Sequence, residues 1–157
     1  MAGNVDKLIR KLEREGKIRK QTAGLFQIEA LLRESMKDLD EAKSIVHIAT
    51  RATYLLAYNA MLKAGRALLL FKGYITADGG QHKTVVEMTS GILGENFRYL
   101  CDQFESMRRR RNELTYEAGI LISGTDSQKA FADARQLVKE VMEEVKSKNP
   151  QLELEFK

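Results

Sequence analysis

The side chains best suited to chemistry lie in one run, Met107-Arg108-Arg109-Arg110-Arg111-Asn112-Glu113-Leu114-Thr115-Tyr116. A guanidinium is permanently charged and presents a planar fork of N–H donors that fits phosphate or carboxylate. Position separates the four arginines. Apolar residues stand at 97, 100, 104, 107, 114 and 118, the three-and-four rhythm of one helix face, and 111 belongs to that series. Arg108, Arg109 and Arg110 fall off the stripe and read as a solvated basic face that attracts phosphate. Arg111 interrupts the stripe. A guanidinium there is costly unless it is paired or kept wet, so it reads either as half of an internal ion pair or as the wall of a polar cleft.

Two other stretches carry polar groups in unusual places. From Tyr54 to Leu69 the chain is apolar nearly all round, and Leu55, Asn59, Leu62, Arg66 and Leu69 share a helical face. This spacing predicts that Asn59 and Arg66 face the core or an interface. Tyr54 and Tyr58, one turn apart, read as core residues whose hydroxyls reach outward. The segment Asp78-Gly79-Gly80-Gln81-His82-Lys83-Thr84 leads glycines into a helix start, where backbone N–H groups favour an anion beside His82 and Lys83. It is not a Walker A loop: His82, not Gly, precedes Lys83, and no strand is expected before the loop. His82 reads as a loop-capping or partner-binding residue, with proton transfer as the sharper alternative. His47, His82 and the lone Cys101 have no metal-ligand spacing, so neither a metal site nor a cofactor is expected. Cys101 reads as an inert thiol beside the Phe97–Phe104 stripe.

The elements that must position these groups are helices. Asn4 is placed to cap a short helix over 5–15 that Gly16 stops, and Lys17–Lys20 forms a basic connector. Long apolar stripes predict helices over 24–49, 51–72, 81–93 and 95–118. A last helix starts at a capping box of Thr125 and Gln128 and stops at Asn149-Pro150. The tail 149–157 alternates Leu152, Leu154 and Phe156 with polar residues and reads as a frayed terminus or an added strand. The expected architecture is all-α: an antiparallel up-and-down bundle of four or five helices with an additional short N-terminal helix. Its parts are a basic arm at 1–20, the bundle at 21–148 and the tail. The absence of Trp and the single Pro in 157 residues argue against a β-sandwich. No apolar run approaches membrane-spanning length and the N-terminus leads straight into charge, so a cytoplasmic protein is expected.

The block Tyr58–Tyr116 resembles the HEPN domain family. The likeness rests on the Tyr-bearing helix ending in Arg66-Ala67-Leu68-Leu69, then Gly73-Tyr74, then His82-Lys83-Thr84, then Arg111-Asn112, and with flanking helices it covers about 22–147. It implies a dimerising bundle, in many members a metal-independent ribonuclease and often a toxin paired with a minimal nucleotidyltransferase. The family motif is Arg, commonly Asn, and a His four to six residues beyond the Arg. Arg111 and Asn112 match its first positions, while Tyr116 stands where the His is expected. A phenol with a pKa of about 10 does not exchange protons near neutrality as imidazole does. Tyr116 can still hydrogen-bond a phosphate that Arg111 neutralises. Residues 111 and 116 also lie about 140° apart on a straight helix, whereas Asn112 and Tyr116 share a face.

The expectation is therefore an RNA- or nucleotide-binding homodimer, weak or inactive as a nuclease, with a nucleotidyltransferase partner. The alternatives are an active metal-independent ribonuclease using Tyr116 or His82, and a non-catalytic interaction subunit whose basic arm docks an acidic partner. Charge distribution sharpens the last. Lys7, Arg10, Lys11, Arg14, Lys17, Arg19 and Lys20 face only Asp6, Glu13 and Glu15 within 1–20, which accounts for the whole formal charge of +4.

Overall fold

The computed structural model describes residues 2–77 and 81–156. Six helices dominate: α1 (Ala2–Arg14), α2 (Leu25–Ile45), α3 (Thr50–Phe71), α4 (Gln81–Leu93), α5 (Arg98–Tyr116) and α6 (Gly124–Lys148). Two short strands, β1 (Ile18–Lys20) and β2 (Tyr74–Thr76), form a two-stranded antiparallel sheet. The fold is an all-α helical bundle. Its axis is α3, which packs against α2, α4, α5 and α6. A helix with neighbours on several sides must be apolar almost all round, which is why this one carries Tyr54, Ala57, Tyr58, Met61, Leu68 and Leu69 in the core.

Gly65 explains how α3 and α4 come so close. A Cβ at this position would sit 2.6 Å from Val85 Cγ1 and 2.8 Å from Thr89 Oγ1, so only hydrogen fits at the crossing. Between α2 and α3, buried Ser35 donates its hydroxyl to the Ala60 carbonyl at 2.7 Å, and Lys63 pairs with Asp38 at 2.8 Å. Among the described residues no helix is long and apolar enough to cross a membrane.

Several local expectations are corrected. Asn4 lies inside α1 and does not cap it, because the helix begins at Ala2. Gly16 does stop α1. At φ 72°, it lets its own N–H reach Glu13 and the Lys17 N–H reach Leu12, satisfying two of the last carbonyls. The expected basic connector at 17–20 is largely strand: Ile18 pairs with Thr76 and Lys20 with Tyr74, while Ile18 is buried against Leu12, Leu69 and Met88. A strand therefore does precede the 78–84 segment, contrary to expectation, although residues 78–80 themselves lie outside the described residues. Helix α4 runs through Gly91 without a break, and Gly94, at φ 81°, follows its end.

Ser123, not Thr125, caps α6, accepting the Asp126 N–H at 3.0 Å from an extended backbone. Helix α5 ends at Tyr116, so Ala118 does not extend its stripe. The tail neither frays nor adds a strand. Leu152 and Leu154 bury in the core, and Lys146 Nζ donates to the Leu154 carbonyl at 2.7 Å.

Candidate phosphate site

Three elements bring the site together. Tyr58, on α3, is fully buried, with its ring 5.9 Å from that of Phe104 on α5. Its hydroxyl does not reach solvent. It meets His82 Nδ1, on the first turn of α4, at 2.8 Å. The hydrogen bond has two readings. If Tyr58 donates, Nε2 of His82 carries the proton and can donate to an anion; if Nδ1–H donates, Nε2 is a free proton acceptor.

Arginines surround this pair. Burial first, then the charges of Arg111, Arg66 and Arg108, hold the His82 imidazole below its ordinary pKa. Burial pushes the Tyr58 phenol up to about 12, while the same three arginines pull against that rise. The electrostatic field at the pair is thus positive from three helix positions on two elements. Half-buried Arg66 and Arg111 have no carboxylate within ion-pair distance among the described residues. Arg108 differs, since both Nε contacts to Glu105 are 3.1 Å, and Glu105 also takes Arg109 Nε at 3.1 Å. These bonds hold the Glu105 carboxyl below its usual range. Two guanidiniums without a carboxylate partner among the described residues, kept partly wet beside the imidazole, have the charge and the N–H donors to pair with an anion.

The structure separates the other candidates from this wall. Arg109 is exposed on the flank of α5. Arg110 turns elsewhere, donating to the Leu121 carbonyl at 2.7 Å and approaching Glu113 at 3.8 Å. It lines a cavity of about 620 Å³ with Tyr54, Asp126 and Asp133, where carboxylates outnumber cations and an anion is disfavoured. Tyr116 ends α5 with 81% of its surface exposed and makes no contact with the Tyr58–His82 pair. Asn112 is half-buried without a side-chain hydrogen bond among the described residues. Lys83 is exposed next to His82. Asn59, expected toward the core or an interface, is exposed: it lies beyond the arc of α3 that holds Tyr58, Met61 and Leu62 in the core.

Sequence reasoning missed Tyr58 as a site residue. The signal was its place one helical face from Arg66, but an aromatic residue on an apolar helix is most simply core. Among the described residues Arg111 has no carboxylate within ion-pair distance, so it is not half of an internal ion pair there, and its charge acts on His82 and Tyr58. Cys101 is buried as expected, and burial pushes its thiol up to about 11, which leaves it protonated. Compared with known proteins, the chain matches no family model and no curated protein.

Proposed function

We propose that this protein binds RNA or a nucleotide through its phosphate, using Arg66, His82, Arg108 and Arg111 as the recognition wall. The observation that carries the reading is that Arg66 and Arg111, without a carboxylate partner among the described residues, both act by charge on the hydrogen-bonded Tyr58–His82 pair. Half-buried guanidiniums without carboxylates are costly, and a phosphate oxygen both pairs and hydrogen-bonds them. Asn112, one residue past Arg111, can add an amide contact. The reading keeps the HEPN-like assignment, with two copies of α5 joined in a homodimer and a nucleotidyltransferase as partner. Tyr116 in place of the motif His makes efficient cleavage an unneeded part of it.

The test is binding of a nucleoside monophosphate and of single-stranded RNA by calorimetry. Arg66→Gln and Arg111→Gln should each weaken both by at least tenfold without lowering the melting temperature. Unchanged affinity with a lowered melting temperature would make the arginines structural. One observation favours a second reading, metal-independent RNA cleavage. His82 lies in the arginine cluster with its proton affinity lowered, so its neutral form is present near neutrality. RNA cleavage in the presence of chelator, lost in His82→Gln, would establish it.

A further inference from the structure

Helix α1 is divided into two faces. Leu8, Ile9 and Leu12 turn toward α4, and Leu12 is fully buried. Leu8 Cδ2 lies 2.5 Å from where a Cβ on Gly91 would stand, so the bare backbone of α4 at Gly91 is what seats α1. The opposite face presents Lys7, Arg10, Lys11 and Arg14, all exposed, and β1, which follows, adds exposed Arg19 and Lys20. Among the described residues none of these six has a carboxylate within ion-pair distance; Lys17, between them, pairs with Glu15 at 3.4 Å. Asp6 and Glu13 are the acids on α1 itself and leave the face strongly positive. The arm is therefore not a tether. It is docked through α4 and β2 with its charge turned outward.

Direction matters as much as charge. Leu8 meets Gly91 while Leu12 clusters with Met88, so α1 and α4 run antiparallel. The Ala77 N–H donates to the Lys17 carbonyl at 2.9 Å, a few residues before α4 begins. The C-terminal end of the basic ridge thus lies toward the end of α4 that carries His82 and Lys83. Lys7 to Arg14 covers about 10 Å at a rise of about 1.5 Å per residue, long enough to meet successive phosphates of one strand.

We infer that the outer face of α1, followed by β1, is a landing surface for the backbone of a single-stranded nucleic acid that leads into the Arg66–Arg111 cluster. The inference rests on the phosphate reading of that cluster. A nucleic-acid strand fits better than an acidic protein because the face has no apolar anchor. Among the described residues the large exposed apolar ones are Phe26, Ile48, Tyr99, Tyr116 and Leu121, none on α1 or β1. A protein interface needs such a desolvated centre, whereas counterion release from phosphates does not.

The test uses the full chain and its variant Lys7→Gln/Arg10→Gln/Lys11→Gln/Arg14→Gln. Fluorescence anisotropy follows a labelled oligouridylate of about 20 nucleotides across a salt series. Calorimetry follows uridine monophosphate, and polyglutamate serves as the acidic-polypeptide probe. Oligouridylate affinity should fall at least tenfold, and its log–log salt slope should flatten by about 3, at about 0.7 per lost phosphate contact. Uridine monophosphate binding and the melting temperature should not change. Unchanged oligouridylate affinity and slope would overturn the inference. So would polyglutamate binding as tightly as oligouridylate and lost in the same variant. The two readings fail separately. If Arg111→Gln abolishes monophosphate binding while the arm variant binds everything normally, only the landing surface is refuted. If the wild-type chain never binds the monophosphate yet loses oligouridylate in the arm variant, only the cluster is refuted.

Discussion

The Tyr58 hydroxyl lies 2.8 Å from Nδ1 of His82, joining the central helix to the first turn of α4. This bond fixes the imidazole under Arg111, Arg66 and Arg108, whose charges act on both partners. It ties the packing of α3 against α4 to the geometry of the candidate site.

Removing the hydroxyl while keeping the ring separates these roles. Tyr58→Phe keeps the contact with Phe104 and should cost about 1 kcal/mol of unfolding free energy, the net worth of one hydrogen bond. Nucleotide affinity should fall more than stability implies, because His82 loses its orientation. Urea denaturation beside calorimetry distinguishes the two; equal affinity in the variant would remove Tyr58 from the site.

The pH dependence of stability follows from His82. Burial, then Arg111, Arg66 and Arg108, lower its folded pKa below the ordinary value near 6.5. As pH falls through about 6.5 the unfolded chain takes up a proton that the folded imidazole refuses, so stability is lost toward acid. Stability from this group is fully present above that pH and disappears down to the lowered folded pKa. Thermal melts of wild type and His82→Gln should therefore diverge at neutral pH and converge in acid. Parallel curves would mean His82 titrates normally.

Glu105 restrains the site. It binds Arg108 and Arg109 together, and its carboxyl is held low by those bonds. Glu105→Gln should release two guanidiniums and tighten RNA binding severalfold at low salt, with a steeper salt dependence. Weaker binding would show that Glu105 positions Arg108 rather than opposing it.

Gly65 is where helix propensity and packing conflict. Gly65→Ala gains up to about 1 kcal/mol in helix propensity, yet its methyl meets the short branched side chains of Val85 and Thr89. Overpacking of this kind costs about 1–3 kcal/mol, so the variant should be less stable and should move α4 with His82. Denaturation midpoints and nucleotide affinity should fall together; a gain in stability would show that α4 retreats freely.

The tail contributes to the core. Leu154 is buried with 1% of its surface exposed, and Leu154→Ala should cost about 2–5 kcal/mol. A loss below about 0.5 kcal/mol, the range of surface substitutions, would contradict the docking seen here.

The helices were legible in the sequence because their signal is local. Apolar residues at 100, 104, 107 and 114 set the buried face of α5, and Gly16, Gly73 and Gly94 mark chain turns that require a positive φ. The short sheet was not legible, since Ile18-Arg19-Lys20 becomes a strand only when Tyr74–Thr76 lies beside it. The tail escaped for the same reason: alternating Leu152 and Leu154 do not say which surface will receive them.

The site divides in the same way. That Arg111 breaks an apolar stripe follows from one helix and needs no partner. That its charge acts on Tyr58 and His82 depends on α3, α4 and α5 meeting, and Gly65 permits the close approach of α3 and α4 by omitting one methyl. Sequence alone determined the helical class, the odd place of Arg111 and the charge gathered in the first 20 residues. Only the tertiary structure decided that Arg66, His82, Arg108 and Arg111 share one field while Arg110 and Tyr116 stand apart. Periodicity assigns a residue to a face of its own helix, but which faces meet is settled by packing between distant segments.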